Sequence, residues 1–81
     1  MTLRQKITVA MDQIGPRLRA RRIELGLLQK DVADRGGFYD ARVISDFERG
    51  ENHPGLFSLM ALADALECHI DYLVPIIAKN D

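Results

Sequence analysis

Apolar residues recur along this chain at steps of three and four, and no stretch alternates with the period of two that a half-buried strand needs. The pattern is therefore helical throughout. Thr2 is placed to cap a first stretch whose stripe is Leu3, Ile7, Met11 and Ile14. Gly15-Pro16 predicts a break there, because proline suits the first turn of a new helix and disfavours the interior of an old one. A second helix is expected from about Pro16 to Leu25, ended by Gly26, a residue type that closes helices in the left-handed conformation. Gln29 to Arg35 follows, stopped by Gly36-Gly37. Asp40 is a good N-cap for a helix from Ala41 to Arg49, which Gly50 ends. Glu51 to Gly55 contains Pro54 and reads as loop. Leu56 to Glu67 carries the strongest stripe: Leu56, Leu59, Met60, Leu62, Ala63 and Leu66. A last short helix is expected from Asp71 to about Ile77, with His69 as its candidate cap. There is no internal repeat, linker or low-complexity segment.

The length of 81 residues corresponds to one small domain. A chain of this size buries only about 60% of the surface that its unfolded form exposes. Cys68 is the only cysteine, so disulfides add nothing. With His53 and His69 it cannot complete a closed four-ligand zinc site. No metal and no cofactor is expected; tight helical packing, oligomerisation or both must supply the stability. The apolar runs are too short to span a membrane. Arg4 and Lys6 are followed by no continuous apolar stretch, so no signal peptide is read and a cytoplasmic protein is expected.

Charge adds a second layer. The net charge of −1 argues, as an average, against a partner held by bulk positive charge. Yet residues 1–30 hold seven basic residues (Arg4, Lys6, Arg17, Arg19, Arg21, Arg22 and Lys30) against Asp12 and Glu24, a net of +5. Residues 31–81 hold four basic against ten acidic residues, a net of −6. Cancellation between halves predicts a polarised surface.

Catalytic chemistry finds no support. Cys68 and His69 are adjacent, so they point different ways and make no local nucleophile–base pair. Cys68 follows an apolar helix and is expected to be a buried, inert thiol. His53 lies in a polar turn, and Asp64 and Glu67 fall on the solvated side of a helix. An enzyme is not expected.

The informative feature is a pair of short helices across Gly36-Gly37, followed by Ile44-Ser45-Asp46-Phe47-Glu48-Arg49-Gly50. Two such helices can pack at a steep angle and push the second outward. Ile44 and Phe47 would face the core, leaving Arg42, Val43, Ser45, Asp46 and Arg49 as a mixed donor, acceptor and apolar face. A face of that kind fits the edges that bases present in the major groove.

From Ile14 to Leu73 the sequence resembles the helix-turn-helix of Cro/phage-repressor-type regulators, the Xre family. The resemblance opens with Ile14-Gly15, Leu18, Arg22 and Gly26-Leu27. It continues through Gln29, Val32 and Ala33, then Ile44-Ser45 and Phe47-Glu48-Arg49-Gly50. Pro54, Leu56, Leu59, Leu62-Ala63, Leu66, Ile70-Asp71 and Leu73 complete it. It implies an all-α, five-helix repressor-like domain that binds double-stranded DNA as a homodimer; residues 2–13 lie outside the match, and their amphipathic pattern predicts an extra helix at the N-terminus. It implies base contacts from Asp40, Ala41, Arg42, Val43 and Asp46. Backbone contacts are expected from Gln29, at a position that family members sometimes also use on a base, and from Lys30, Tyr39, Arg49, Asn52 and Arg19. Ala33 is expected where the two motif helices cross, and Arg22 and Glu48 as a structural ion pair.

Several positions depart from the family pattern. The turn Gly36-Gly37-Phe38-Tyr39-Asp40 is one residue longer than usual. Leu28 replaces the usual Ser/Thr cap, removing an acceptor worth about 1 kcal/mol. Arg21 stands where leucine is common, and Glu51 where a basic residue is common. Asp40, Asp46 and Glu51 add negative charge to the presumed DNA side unless Asp46 meets a cytosine amino group or pairs with Arg42 or Arg49.

The chain divides into an N-terminal helical extension (1–13), the DNA-binding domain (14–73) and an apolar tail (74–81). Tyr72, Leu73, Val74, Ile76 and Ile77 are the candidate dimer contact, with folding back on their own core as the alternative. The expected function is a sequence-specific transcriptional regulator, a repressor by the simplest mechanism, on a pseudo-palindromic operator. Two alternatives stay open: a protein-interaction module that kept the fold and lost DNA affinity, and an antitoxin-type regulator working with a protein partner.

Overall fold

A computed structural model describes residues 1–75. Among them the chain forms five helices and no strand: α1 (Leu3–Glu24), α2 (Gln29–Gly36), α3 (Ala41–Arg49), α4 (Leu56–Ala65) and α5 (Ile70–Leu73). Thr2 starts α1 with a reciprocal capping box. The Gln5 amide donates to Thr2 Oγ1 at 3.2 Å, and the Thr2 amide donates to Gln5 Oε1 at 2.8 Å.

The break expected at Gly15-Pro16 is absent, and the N-terminal extension is the front of α1 rather than a separate helix. Pro16 deprives the Asp12 carbonyl of its intrahelical donor, but both residues are exposed, so water can serve that carbonyl. Ala10, Ile14, Gly15 and Leu18 bury one continuous side of the helix, which offsets the lost bond. Ala10 is the first buried residue; Leu3, Ile7, Val9 and Met11 are exposed, so the first two turns of α1 extend beyond the core.

Gly37 and Gly50 end α2 and α3 in the left-handed conformation, at φ 72° and 75°. After α2, the Phe38 amide reaches the Ala33 carbonyl at 2.9 Å; after α3, the Glu51 amide reaches the Asp46 carbonyl at 2.9 Å. This is the Schellman closure, which satisfies carbonyls that the helix leaves unpaired. The longer turn is accommodated by an α2 that runs to Gly36 and by Phe38, whose ring meets Phe47 edge-on with centroids 5.9 Å apart. Any side chain at Gly36 would strike the Phe38 ring.

The core gathers Ala10, Ile14 and Leu18 of α1, Val32 and Ala33 of α2, Ile44 and Phe47 of α3, Leu62, Ala63 and Ala65 of α4, Leu66, and Leu73 and Val74. The α4 stripe is correct only in its second half, since Leu56 and Met60 are exposed. That helix ends at Ala65, two residues earlier than expected, because Glu67 takes a left-handed φ of 54°. His69 occupies the N-cap position of α5 without a side-chain hydrogen bond.

The tail needs correction. Leu73 is 0% and Val74 8% exposed, so both belong to the intramolecular core and are not free to form a dimer contact. A domain this small has too little apolar surface to leave them out of its own interior. Tyr72 remains partly exposed, its ring under the Arg17 guanidinium at 5.5 Å and its carbonyl accepting from Arg17 Nη1 at 3.0 Å. The expectations for Ile76 and Ile77, and for the end of the last helix, fall outside the described residues.

Candidate nucleic-acid interface

The geometry begins with how α3 is held. Ile44 and Phe47 anchor one side of it in the core. At its C-terminal end α1 comes unusually close: a Cβ on Gly15 would lie 2.5 Å from the Glu48 carbonyl oxygen and 2.7 Å from that of Phe47. Two turns further along α1, Arg22 grips the same end of α3 through its side chain. Its Nε donates to Glu48 Oε2 at 2.6 Å and its Nη2 to Glu48 Oε1 at 3.1 Å. Arg22 Nη1 donates to the Leu27 carbonyl at 2.9 Å, tying the α1–α2 turn to the pair. The side chains are only 12% and 3% exposed, so this is a bidentate, mostly buried ion pair. The hydrogen bond to Glu48 holds the Arg22 pKa above its usual value, against the opposing effect of burial. Arg22 and Glu48 thus act on the fold.

Asp40 starts α3. Its Oδ1 accepts from the amides of Arg42 at 3.0 Å and Val43 at 3.4 Å. Between the start of α2 and the outer side of α3 lies an open polar cleft of about 430 Å³, lined by Gln29, Ala41, Arg42, Ser45 and Arg49. Ala41, Ser45 and Arg49 follow one another at helical steps of four, which places them along one flank. Asp46 borders this face and pairs with Arg49 Nη2 at 2.7 Å. The acidic charge expected on this side is therefore partly absorbed: Asp40 by the helix start, Asp46 by an arginine.

The other expected contacts divide. Arg42 is exposed, and Ala41 lines the cleft. Val43, expected as a base contact, is half-buried and packs on the core, one helical step from the buried Phe47 side. Lys30, Tyr39, Asn52 and Arg19 are exposed. Lys30 lies 3.9 Å from Asp34. Ser45, which is not among the base contacts that the resemblance implies, also lines the cleft; its step of four from Ala41 and Arg49 is the sequence signal that places it there.

The polarised surface expected from the charge count is partly spent inside the molecule, since Arg17, Arg21 and Arg22 of the basic first stretch bond within the chain while Arg4, Lys6, Arg19 and Lys30 stay exposed. Arg21 Nε donates to the Leu66 carbonyl at 2.9 Å, and its Nη2 to the Glu67 carbonyl at 3.0 Å. Arg35 Nη1 donates to the Ala65 carbonyl at 3.2 Å and to Glu67 Oε2 at 3.1 Å. Two arginines thus close the C-terminal end of α4, where unpaired carbonyls gather. Arg21, where leucine is common, is a cap in this chain.

Among the described residues no cluster of His, Cys, Asp and Glu is arranged to hold a metal ion, and no helix is long and apolar enough to cross a membrane.

Comparison with known proteins agrees with this geometry. The helix-turn-helix family HTH_3 matches residues 18–73. Repressor protein C2 of Salmonella phage P22 is 39% identical over 61 residues, covering 75% of this chain; the match spans 28% of that repressor's length. The solved structure of the P22 c2 repressor, in complex with synthetic operator 9T in the presence of Tl+, aligns with a TM-score of 0.71 at 39% identity. It covers 75% of this chain and 91% of that one. The restriction-modification controller protein C.AhdI from Aeromonas hydrophila aligns with a TM-score of 0.73 at 30% identity, covering 82% of this chain and 97% of that one.

Proposed function

This chain belongs to the helix-turn-helix family HTH_3, and on that footing we propose that it is a sequence-specific DNA-binding transcriptional regulator, a repressor. The observation that carries the reading is the outer side of α3. It is fixed from behind by Ile44, Phe47, Gly15 and Arg22, and it is open in front with Ala41, Arg42, Ser45 and Arg49. A helix so held can enter the major groove, with Arg42 placed to meet guanine bidentately and Asp46 to accept from cytosine or to steer Arg49. Arg49, Lys30, Tyr39, Asn52 and Arg19 serve the phosphates. The relative whose structure holds an operator supports this assignment.

The reading extends to a homodimer on a pseudo-palindromic operator, with half-sites about 34 Å apart. Tyr72 is the described residue left to such a contact, joined by Ile76 and Ile77 of the tail. Repression follows from occupying a promoter, and the protein acts in the cytoplasm as a binder rather than a catalyst.

Selection from a random duplex library tests the reading. A recovered consensus with two-fold symmetry supports it. Its affinity should fall linearly in log–log terms with rising salt. Failure to enrich any sequence would refute it.

A further inference from the structure

The Glu48 carboxylate accepts a third donor besides the two from Arg22: Gln29 Nε2 reaches its Oε1 at 3.1 Å. That bond decides how the Gln29 amide is turned. A carboxylate only accepts, so Gln29 must direct its NH2 group inward and leave its carbonyl oxygen outward. One of the two amide hydrogens is spent on Glu48; the other stays available beside the oxygen. The arrangement cannot easily swivel. Glu48 is held by the Arg22 fork, and Arg22 is itself held by the carbonyl of Leu27, two residues before Gln29.

The free edge of Gln29 opens on the same cleft as Ala41, Arg42, Ser45 and Arg49. It offers one acceptor and one donor side by side. A phosphate oxygen could take the remaining N–H but leaves the outward carbonyl without a donor. Adenine presents N6–H as donor and N7 as acceptor in the major groove, which is the complement of that edge. We propose that Glu48 is a positioning residue for DNA readout: it holds Gln29 so that the first residue of α2 reads an adenine edge rather than the backbone contact expected from the sequence. The proposal rests on the DNA-binding reading above and adds a second helix to the base-reading surface.

The test uses the full chain, the duplex recovered by selection and that duplex with each base pair changed in turn. Gln29→Met keeps the length of the side chain and removes both polar groups. On the selected duplex it should lose about tenfold or more in affinity. On the duplex lacking one particular A·T pair per half-site it should match the parent protein, with the salt slope unchanged. An equal loss on every duplex with a shallower slope would mark a phosphate contact and overturn the proposal. Failure of the parent protein to bind any duplex is a different result and overturns the function itself. Glu48→Gln, which can donate as well as accept, should relax preference at that same base pair. A purely uniform loss would reduce Glu48 to a structural role and overturn the positioning claim. If that variant does not fold, the Gln29 side-chain amide of the parent protein answers by NMR. Slow exchange of one shifted amide proton supports the bond to Glu48, and free-glutamine shifts overturn it.

Discussion

Substituting alanine for Gly15 sets two effects of opposite sign against each other. Inside a helix alanine is favoured over glycine by about 1 kcal/mol, so propensity alone predicts a more stable protein. The packing predicts the reverse. The new methyl would sit 2.5 Å from the Glu48 carbonyl oxygen and 2.7 Å from that of Phe47, both backbone atoms that cannot rotate aside. Ordinary carbon–oxygen contacts begin near 3.3 Å, so α3 must retreat from α1 by about 0.8 Å. A gap of that order forfeits a quarter to a half of the dispersion energy of the atoms lining it. Leu18 of α1 and Ile44 and Phe47 of α3 belong to the core that such a retreat would loosen. Overpacking of this kind costs about 1–3 kcal/mol. After the propensity gain, the net loss is about 0–2 kcal/mol. For a domain of this size that lowers the melting temperature by up to roughly 15 °C, measured by circular dichroism or calorimetry. Because the retreating element is the proposed reading helix, affinity for the selected duplex should fall as well. A melting temperature raised by several degrees would show that propensity dominates and that the close approach of α1 to α3 is not real.

Arg42→Ala should relax base preference at one position of the operator, whereas Arg49→Ala should weaken binding to all duplexes and reduce the salt slope by about one, both read by titration at several salt concentrations. Glu67→Gly should raise stability by about 0.5–1 kcal/mol in denaturant unfolding. It relieves a left-handed non-glycine residue at the end of α4 and gives up only the exposed pair with Arg35. Burial pushes the Cys68 thiol pKa above its ordinary 9.0, with Arg21 opposing and Asp71 reinforcing the shift. The folded value therefore lies above the unfolded one, so the associated stability is complete below the ordinary thiol value and is lost as pH rises through the folded value. Unfolding measured from neutral to alkaline pH should show that decline, and Cys68→Ala should remove it.

Much of the architecture was legible because it is local. Gly26, Gly37 and Gly50 end helices through their own backbone freedom, and Thr2 and Asp40 begin them through their own side-chain oxygens. The Arg22–Glu48 pair spans 26 positions and came only from the family resemblance. What periodicity could not reveal were features decided by tertiary surroundings. Pro16 reads as a breaker, yet it lies on the exposed side of a helix whose opposite face is buried without interruption. Leu73 and Val74 read as a sticky tail, yet the core lacked filling without them. The basic first stretch reads as one side of a polarised surface, yet Arg17, Arg21 and Arg22 turn to carbonyls and a carboxylate of the same molecule. A count of charges cannot distinguish an arginine that meets solvent from one that closes a helix.

The first two turns of α1, lying ahead of Ala10, divide the molecule into two regimes of amide exchange. Residues there are helical through bonds to one another and to the Thr2 box, with no core beneath them. Being attached to an already formed helix, they need no new nucleation, and each residue adds or removes a single hydrogen bond. Their opening is therefore sequential from the Thr2 end of the helix, one amide at a time, while the amides of Leu18 or Ile44 exchange only when the whole domain opens. Protection should rise steadily from Gln5 to Ala10 and then reach a plateau. Any ligand seated on those first turns would announce itself by flattening that gradient.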